Sequence, residues 1–173
     1  VGYRALSANT TAQENAAFGT DAMLVTTTGG RNTALGAYTL GSNTEGTNNT
    51  SVGYVAGNGN TTGEYNTAVG STALFAATTA DRNTAVGFRA LTTVTTGAQS
   101  TAVGYDALRN NTADSNTAMG EQASVANTSG SYNASFGWRA LALTTTGATN
   151  SAFGANALFA NTTASDNTSM GYD

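Results

Sequence analysis

A large apolar residue precedes a glycine at regular intervals along the whole chain. Val1, Phe18, Leu35, Val52, Val69, Val86, Val103, Met119, Phe136, Phe153 and Met170 stand before Gly2, Gly19, Gly36, Gly53, Gly70, Gly87, Gly104, Gly120, Gly137, Gly154 and Gly171. Nine of the ten intervals between these glycines are 17 residues, and the one from Gly104 to Gly120 is 16. The missing residue is expected in the turn region around Ala113 to Ser115, where a loop shortens without shifting a strand. Self-similarity at a fixed short period is the signature of a stacked repeat, so each copy is read as one coil of a solenoid. The 173 residues make ten coils in a single array, 1–173. Val1 has the phase of Met170, and the array is expected to be a fragment of a longer fibre.

A second apolar column lies four residues after the glycine: Leu6, Met23, Leu40, Leu74, Leu91, Leu108, Leu141 and Leu158, interrupted by Gly57 and Ser124. The two columns are five residues apart, so on one straight strand they would face opposite ways. Both columns are expected to make the core, so the chain must bend between them, and glycine is the residue for that corner. Two short strands and a polar turn per coil are then expected. The motif threonines (Thr33, Thr50, Thr67, Thr84, Thr101, Thr117) point inward in this reading. A second threonine column (Thr10, Thr27, Thr44, Thr61, Thr78, Thr95, Thr112, Thr128, Thr145, Thr162) follows the leucine at even spacing. The small residues two before the glycine (Ala17, Ala34, Ser51, Ala68, Ala85, Ala102) and the alanines three after it (Ala5, Ala22, Ala56, Ala73, Ala90, Ala107, Ala123, Ala140, Ala157) then face outward as small-residue strips. Those strips suit close approach of a second chain, and a homotrimeric bundle is expected from them. The alternative is that they line the inner corner of a monomeric solenoid. An asparagine column four before the glycine (Asn15, Asn32, Asn49, Asn66, Asn83, Asn116, Asn133, Asn150, Asn167, with Ser100 the departure) is expected to bond along the axis and to the turn backbone.

Helix competes poorly with this reading. Thr, Asn and Gly are weak helix formers over any window, and a turn cluster such as Asn60-Thr61-Thr62-Gly63 arrives before three helical turns could form. Strands stacked at ~4.8 Å make ten coils a rod on the order of 48 Å long, with nearest-neighbour stability. Only 9% of positions are charged, with six arginines, no lysine or histidine, ten carboxylates and a formal net charge of −4. That balance lacks the basic stripe that nucleic acid requires. Without cysteine there is no disulfide, thiolate site or thiol nucleophile, and no apolar run reaches the ~18 residues of a membrane span. The carboxylates are dispersed. Asp21, Asp106 and Asp173 share a column but stand coils apart, too far for a glycosidase pair, and they read as solvated charges. No enzyme activity, metal or cofactor is expected.

The motif Asn66-Thr67-Ala68-Val69-Gly70, continued in other coils by Phe88-Arg89-Ala90-Leu91 or Tyr105-Asp106-Ala107-Leu108, resembles the repeats of phage tail-fibre and fibre-like surface proteins. More distantly it resembles the left-handed β-roll of trimeric autotransporter adhesin heads. The resemblance covers the whole chain, with departures at Gly57 and in the short coil before Gly120. It implies a fibrous, usually trimeric element at a virion or cell surface, so an extracellular fibre shaft holding a receptor-binding tip away from the particle is the first functional expectation. A self-assembling extracellular filament, stacked end to end, is the second.

An ice- or glycan-binding solenoid is the third. The residue after the motif glycine is aromatic in about half the coils (Tyr3, Tyr54, Phe88, Tyr105, Trp138, Tyr172), three times followed by arginine (Arg4, Arg89, Arg139). Such rings could stack on a cell-surface glycan, or cover the bend and pack on neighbouring rungs. Leu24, Phe75, Val125 and Phe159 are expected to point outward into inter-chain contact. For ice, the expected face combines Thr11, Thr28, Thr62, Thr79, Thr96, Thr146 and Thr163 with Asn9, Asn43, Asn60, Asn111, Asn127 and Asn161.

Overall fold

The computed structural model describes residues 1–173 and contains no helix. Ten three-residue strands follow one another: β1 Ala16–Phe18, β2 Thr33–Leu35, β3 Thr50–Val52, β4 Thr67–Val69, β5 Thr84–Val86, β6 Thr101–Val103, β7 Thr117–Met119, β8 Ala134–Phe136, β9 Ser151–Phe153 and β10 Thr168–Met170. They pair in parallel, in chain order, as a single sheet. Like pairs with like: Thr67 opposite Thr84, Ala68 opposite Ala85, Val69 opposite Val86. The chain is an all-β solenoid with the period that the glycine spacing predicts. Register survives the short coil, where Thr101 pairs with Thr117 and Val103 with Met119. The Asn127 amide donates to a turn carbonyl three residues on, at Gly130, whereas Asn111 reaches Ala113, two residues on. The missing residue therefore falls between Thr112 and Ala113, inside the turn.

Each coil has one strand rather than two. From the glycine to the threonine ladder the chain runs through tight turns, because the second and fourth residues after the glycine are both left-handed: Arg89 has φ 54° and Leu91 has φ 49°. A third left-handed residue, such as Arg82 (φ 56°), precedes each asparagine of the axial column. A left-handed L-residue costs roughly 1–2 kcal/mol. Stacking offsets this, except at the two ends of the rod, by giving such an N–H a carbonyl in an adjacent coil: Leu74 donates to Ala90 (3.0 Å), Leu91 to Ala107 (3.1 Å) and Arg82 to Glu64 (2.9 Å). Of 114 backbone hydrogen bonds, only 18 lie within the strands, so the turns carry most of the cohesion along the axis.

The left-handed residues also break the even-spacing rule used to assign sides. The leucine column is buried as expected: Leu40, Leu74, Leu91, Leu108, Leu141 and Met23 are at most 1% exposed. Its partner is the reverse of the expected one. In every strand from β1 to β9 the middle residue is buried and its neighbours are not. Ala34, Ala68, Ala85, Ala102 and Ala118 point inward, while the motif threonines and the whole Val/Phe/Leu/Met column point out. The alanines three after the glycine are buried too, from Ala22 to Ala157. The reason is width. A coil of 17 residues encloses room for one large side chain, and the leucine takes it against alanine on two sides. The small-residue strips are therefore inner walls, and the argument for a bundle built on their exposure does not stand.

Elsewhere the Leu-to-Thr stretch follows the turns. The small residues Ala8, Ala76 and Ala126 lie at the surface, and the residue after them points in, so Asn43, Asn60, Asn111 and Asn127 are buried, together with Val94. The ice face expected from those asparagines is thus not a face, although Thr11, Thr28, Thr62, Thr79, Thr96, Thr146 and Thr163 are exposed. The threonine ladder holds the turn edge. Thr61 O receives the N–H groups of Thr44, Glu45 and Gly46 (3.0, 3.0 and 3.1 Å) and the Thr44 hydroxyl (3.1 Å). The rod exposes 7261 Å², against roughly 7,800 Å² for a globular chain of 17.3 kDa. Small side chains in direct contact make the elongated shape cost no extra surface.

The core is interrupted twice, where the leucine is missing. One cluster ends at Leu40, a second runs from Ala56 to Ala123, and a third begins at Ala140. At the second break Ser124 donates to Ser135 (2.9 Å), both buried. At the first, a Cβ on Gly57 would lie 2.7 Å from Ser51 Oγ. In both places a serine on the strand accompanies the lost leucine. Replacing Ser124→Leu together with Ser135→Ala restores the consensus rung and joins two clusters. Burial of a leucine is worth about 1.5–3 kcal/mol, so the double variant is expected to unfold at a higher denaturant midpoint, and Ser124→Leu alone to gain less, because the buried Ser135 oxygen then loses the bond it accepts from Ser124 and keeps only its own donation to Thr117 O (3.3 Å).

Candidate functional site

The sequence places its aromatic and arginine residues at one corner of the coil, and the glycine column makes that corner. Gly70, Gly87 and Gly104 have φ near +130°, and a Cβ on any of them would meet the backbone of the next coil within 2.7 Å. The chain turns there from the strand into the left-handed turns. The Val/Phe column leaves the sheet on one side of the glycine row, and the aromatic column leaves on the other.

All six rings after the glycine are exposed: Tyr3, Tyr54, Phe88, Tyr105, Trp138 and Tyr172. Where consecutive coils carry them they come together, Phe88 and Tyr105 stacking at 5.6 Å and 21°, while Tyr54 meets edge to face, at 6.0 Å, a ring from outside the column, Tyr38, two residues after Gly36. The others stand singly. Leu24, Phe75, Val125 and Phe159 lie on the surface beyond the leucine, as expected. The Val/Phe column adds a second apolar strip, with Phe18 and Leu35 about half exposed and Phe136 and Phe153 stacked at 5.0 Å and 2°.

Of the three carboxylates of this column Asp173 is exposed, but Asp21 and Asp106 are not the solvated charges expected of them. Arg4 Nε and Nη2 donate to Asp21 Oδ1 and Oδ2 at 2.9 and 2.7 Å, and Arg89 does the same to Asp106 at 2.7 and 2.6 Å. Asp21 and Asp106 are 5% and 3% exposed. Each pair joins consecutive coils at one position, and the signal for it lies in the sequence: Arg4 and Asp21, like Arg89 and Asp106, are one period apart. Hydrogen bonding to the carboxylate, then its charge, raises the Arg4 guanidinium above its ordinary value. Arg89 is raised chiefly by its hydrogen bond to Asp106, against some desolvation. A cation with a raised folded-state pKa lends stability at every pH below its ordinary value and loses it only as pH climbs through the raised one, so both arginines stay charged at any working pH. Arg89 further lies over Phe88 and Tyr105 at 5.0 and 5.6 Å.

Chemically the corner offers stacking faces and guanidinium groups, and its two buried carboxylates are committed to structural pairs. No three metal-binding side chains cluster. Away from the corner, a polar groove runs beside the turns, lined by Thr11, Gln13, Glu14, Thr28, Gly30 and Arg31, with Arg31 paired to Glu14 at 2.9 Å. No helix is long and apolar enough to cross a membrane. No family model matches the chain, and no curated protein or solved structure matches it.

Proposed function

We propose that this chain is a non-enzymatic structural rod, the shaft of an extracellular fibre on a virion or cell surface, that spaces a receptor-binding tip from its anchor. The observation that carries the reading is the axial ladder. Strand, asparagine and left-handed turn columns bond coil to coil along the whole rod, and the threonine column does so except between Thr95 and Thr112, at the short coil, so a load along the axis is shared by several parallel rows of hydrogen bonds. The resemblance of the motif to fibre repeats supports the surface location. Lateral self-association supplies bending stiffness, and its surface is the outward, half-buried sheet face, where Thr50, Thr67, Thr84 and Thr101 alternate with Val52, Val69, Val86 and Val103 and no charged residue lies in the strands. That face replaces the alanine strips as the contact, and three chains are the number that the resemblance favours.

Immunogold labelling of the source cells or particles with antibody to this chain is expected to decorate projections from the surface. Label confined to the cell interior overturns the reading. Solution mass is expected at about three times 17.3 kDa, and Val69→Glu with Val86→Glu is expected to return the protein to the mass of one chain. A wild-type protein already at that mass removes the bundle. A filament that is itself the final product would instead show label along long unbranched fibres with no tip.

A further inference from the structure

Three arginines occupy the second position after the motif glycine, and one of them lacks the partner the other two have. Above Arg4 and Arg89 stand Asp21 and Asp106, and each fork is filled by two charge-assisted hydrogen bonds. Above Arg139 stands Asn156. No carboxylate pairs with Arg139, its Nε is buried without a hydrogen-bond partner, and so is Asn156 Oδ1. The guanidinium is instead held by rings, 5.2 Å from the centroid of Trp138 and 4.5 Å from that of Phe159. A planar cation fixed between aromatic faces, with its donor edge unfilled, is preorganised for a carboxylate.

We propose that Trp138, Arg139, Asn156 and Phe159 form a binding site for a carboxylated pyranose. The carboxylate takes the Nη edge of Arg139, and the sugar ring lies on the open face of Trp138, which is 45% exposed. Asn156 is the positioning residue. Its carboxamide oxygen can accept from Nε when the fork turns toward the ligand, which satisfies both buried orphans at once and leaves the positive charge intact. An aspartate there would neutralise it, as Asp106 does for Arg89. A sugar fits better than a peptide carboxyl terminus, because the surface offers a flat ring beside the cation.

Trp138 is the only tryptophan of the chain, so its fluorescence reports the site directly. Titration of the protein with D-glucuronate is expected to give a saturable change, with D-glucose giving none and acetate binding at least about tenfold more weakly. Asn156→Asp installs the carboxylate that the other two forks already hold. It is expected to keep the fold and to weaken glucuronate at least about tenfold, and Arg139→Gln should do the same. Equal responses to glucose and glucuronate, equal binding of acetate, tighter binding of a peptide with a free carboxyl terminus, no response to glucuronate, or retained affinity in Asn156→Asp each overturns the proposal. None of these outcomes bears on the mass or surface location of the rod.

Discussion

Gly87→Ala is expected to cost about 3–5 kcal/mol, a large share of the 5–15 kcal/mol that holds a typical domain together. Two effects add. The backbone at Gly87 has φ +131°, a region where an L-residue is strained by about 1–3 kcal/mol. The new methyl would also sit 2.5 Å from Gly104 O and 2.7 Å from its carbonyl carbon. That carbonyl cannot retreat, because the same residue donates its N–H to Val86 at 2.8 Å, β5 and β6 pair immediately before the contact, and Leu91 N–H bonds Ala107 O (3.1 Å) beyond it. Moving the coils apart therefore breaks the ladder. In a linear array each coil is stabilised only by its neighbours, so the damage localises. Denaturant unfolding should show a lowered midpoint, and hydrogen exchange should show the amides of Gly87 and Gly104 opening before those of the outer strands. Gly171→Ala is the control for strain alone. It has φ +140° but nothing within 4 Å of the added methyl, and it should cost much less. Equal costs at both positions would mean that backbone strain, and not coil-to-coil contact, explains the glycine row.

The period makes the architecture legible in the amino-acid sequence, since residues such as Gly70, Gly87 and Gly104 recur at the coil length and have no other reason to. The leucine column is legible for a related reason: Leu74, Leu91 and Leu108 are large in nearly every copy and lie in the only space that is wide enough. The strand side is not legible in the same way, because size is a poor mark of burial in so narrow a coil. Val86 is larger than Ala85, yet Ala85 is inside, since the interior opposite Leu91 has no room for a second branched side chain. No alternation rule can rescue the far side, where Arg89 and Leu91 adopt a left-handed conformation that nothing in their chemistry favours and that only contact with the next coil stabilises. At the candidate site, the exposed rings are readable from their column. The unfilled fork at Arg139 shows only once Asp21, Asp106 and Asn156 are placed over the three arginines, although the 17-residue spacing already puts them in line.

Asn83→Ala is expected to be the other severe change, and it tests how the thin core is supplemented. The Asn83 side chain lies fully buried between coils. Its Oδ1 accepts the N–H of Ser100, one coil on, at 2.9 Å, and its Nδ2 donates to the turn carbonyl of Gly97 at 2.9 Å. Alanine deletes both bonds and leaves a buried donor and a buried acceptor that water cannot reach. Each orphan costs about 1–3 kcal/mol, so a loss of about 2–5 kcal/mol is expected, larger than the apolar contacts of the same side chain would supply. The chain contains its own intermediate case. Ser100 occupies this column, where its hydroxyl accepts from Asn116 N–H at 3.2 Å and reaches Ala113 O at 3.5 Å. One short side chain thus makes both bonds, but each is longer than its asparagine counterpart. Asn83→Ser should therefore fall between wild type and Asn83→Ala, and Ser100→Asn should stabilise the rod. Denaturation midpoints of the three variants, measured at equal protein concentration, order the outcomes. If Asn83→Ala and Asn83→Ser lose the same amount, the column contributes through packing and the axial amide ladder is not what compensates for the one-leucine core.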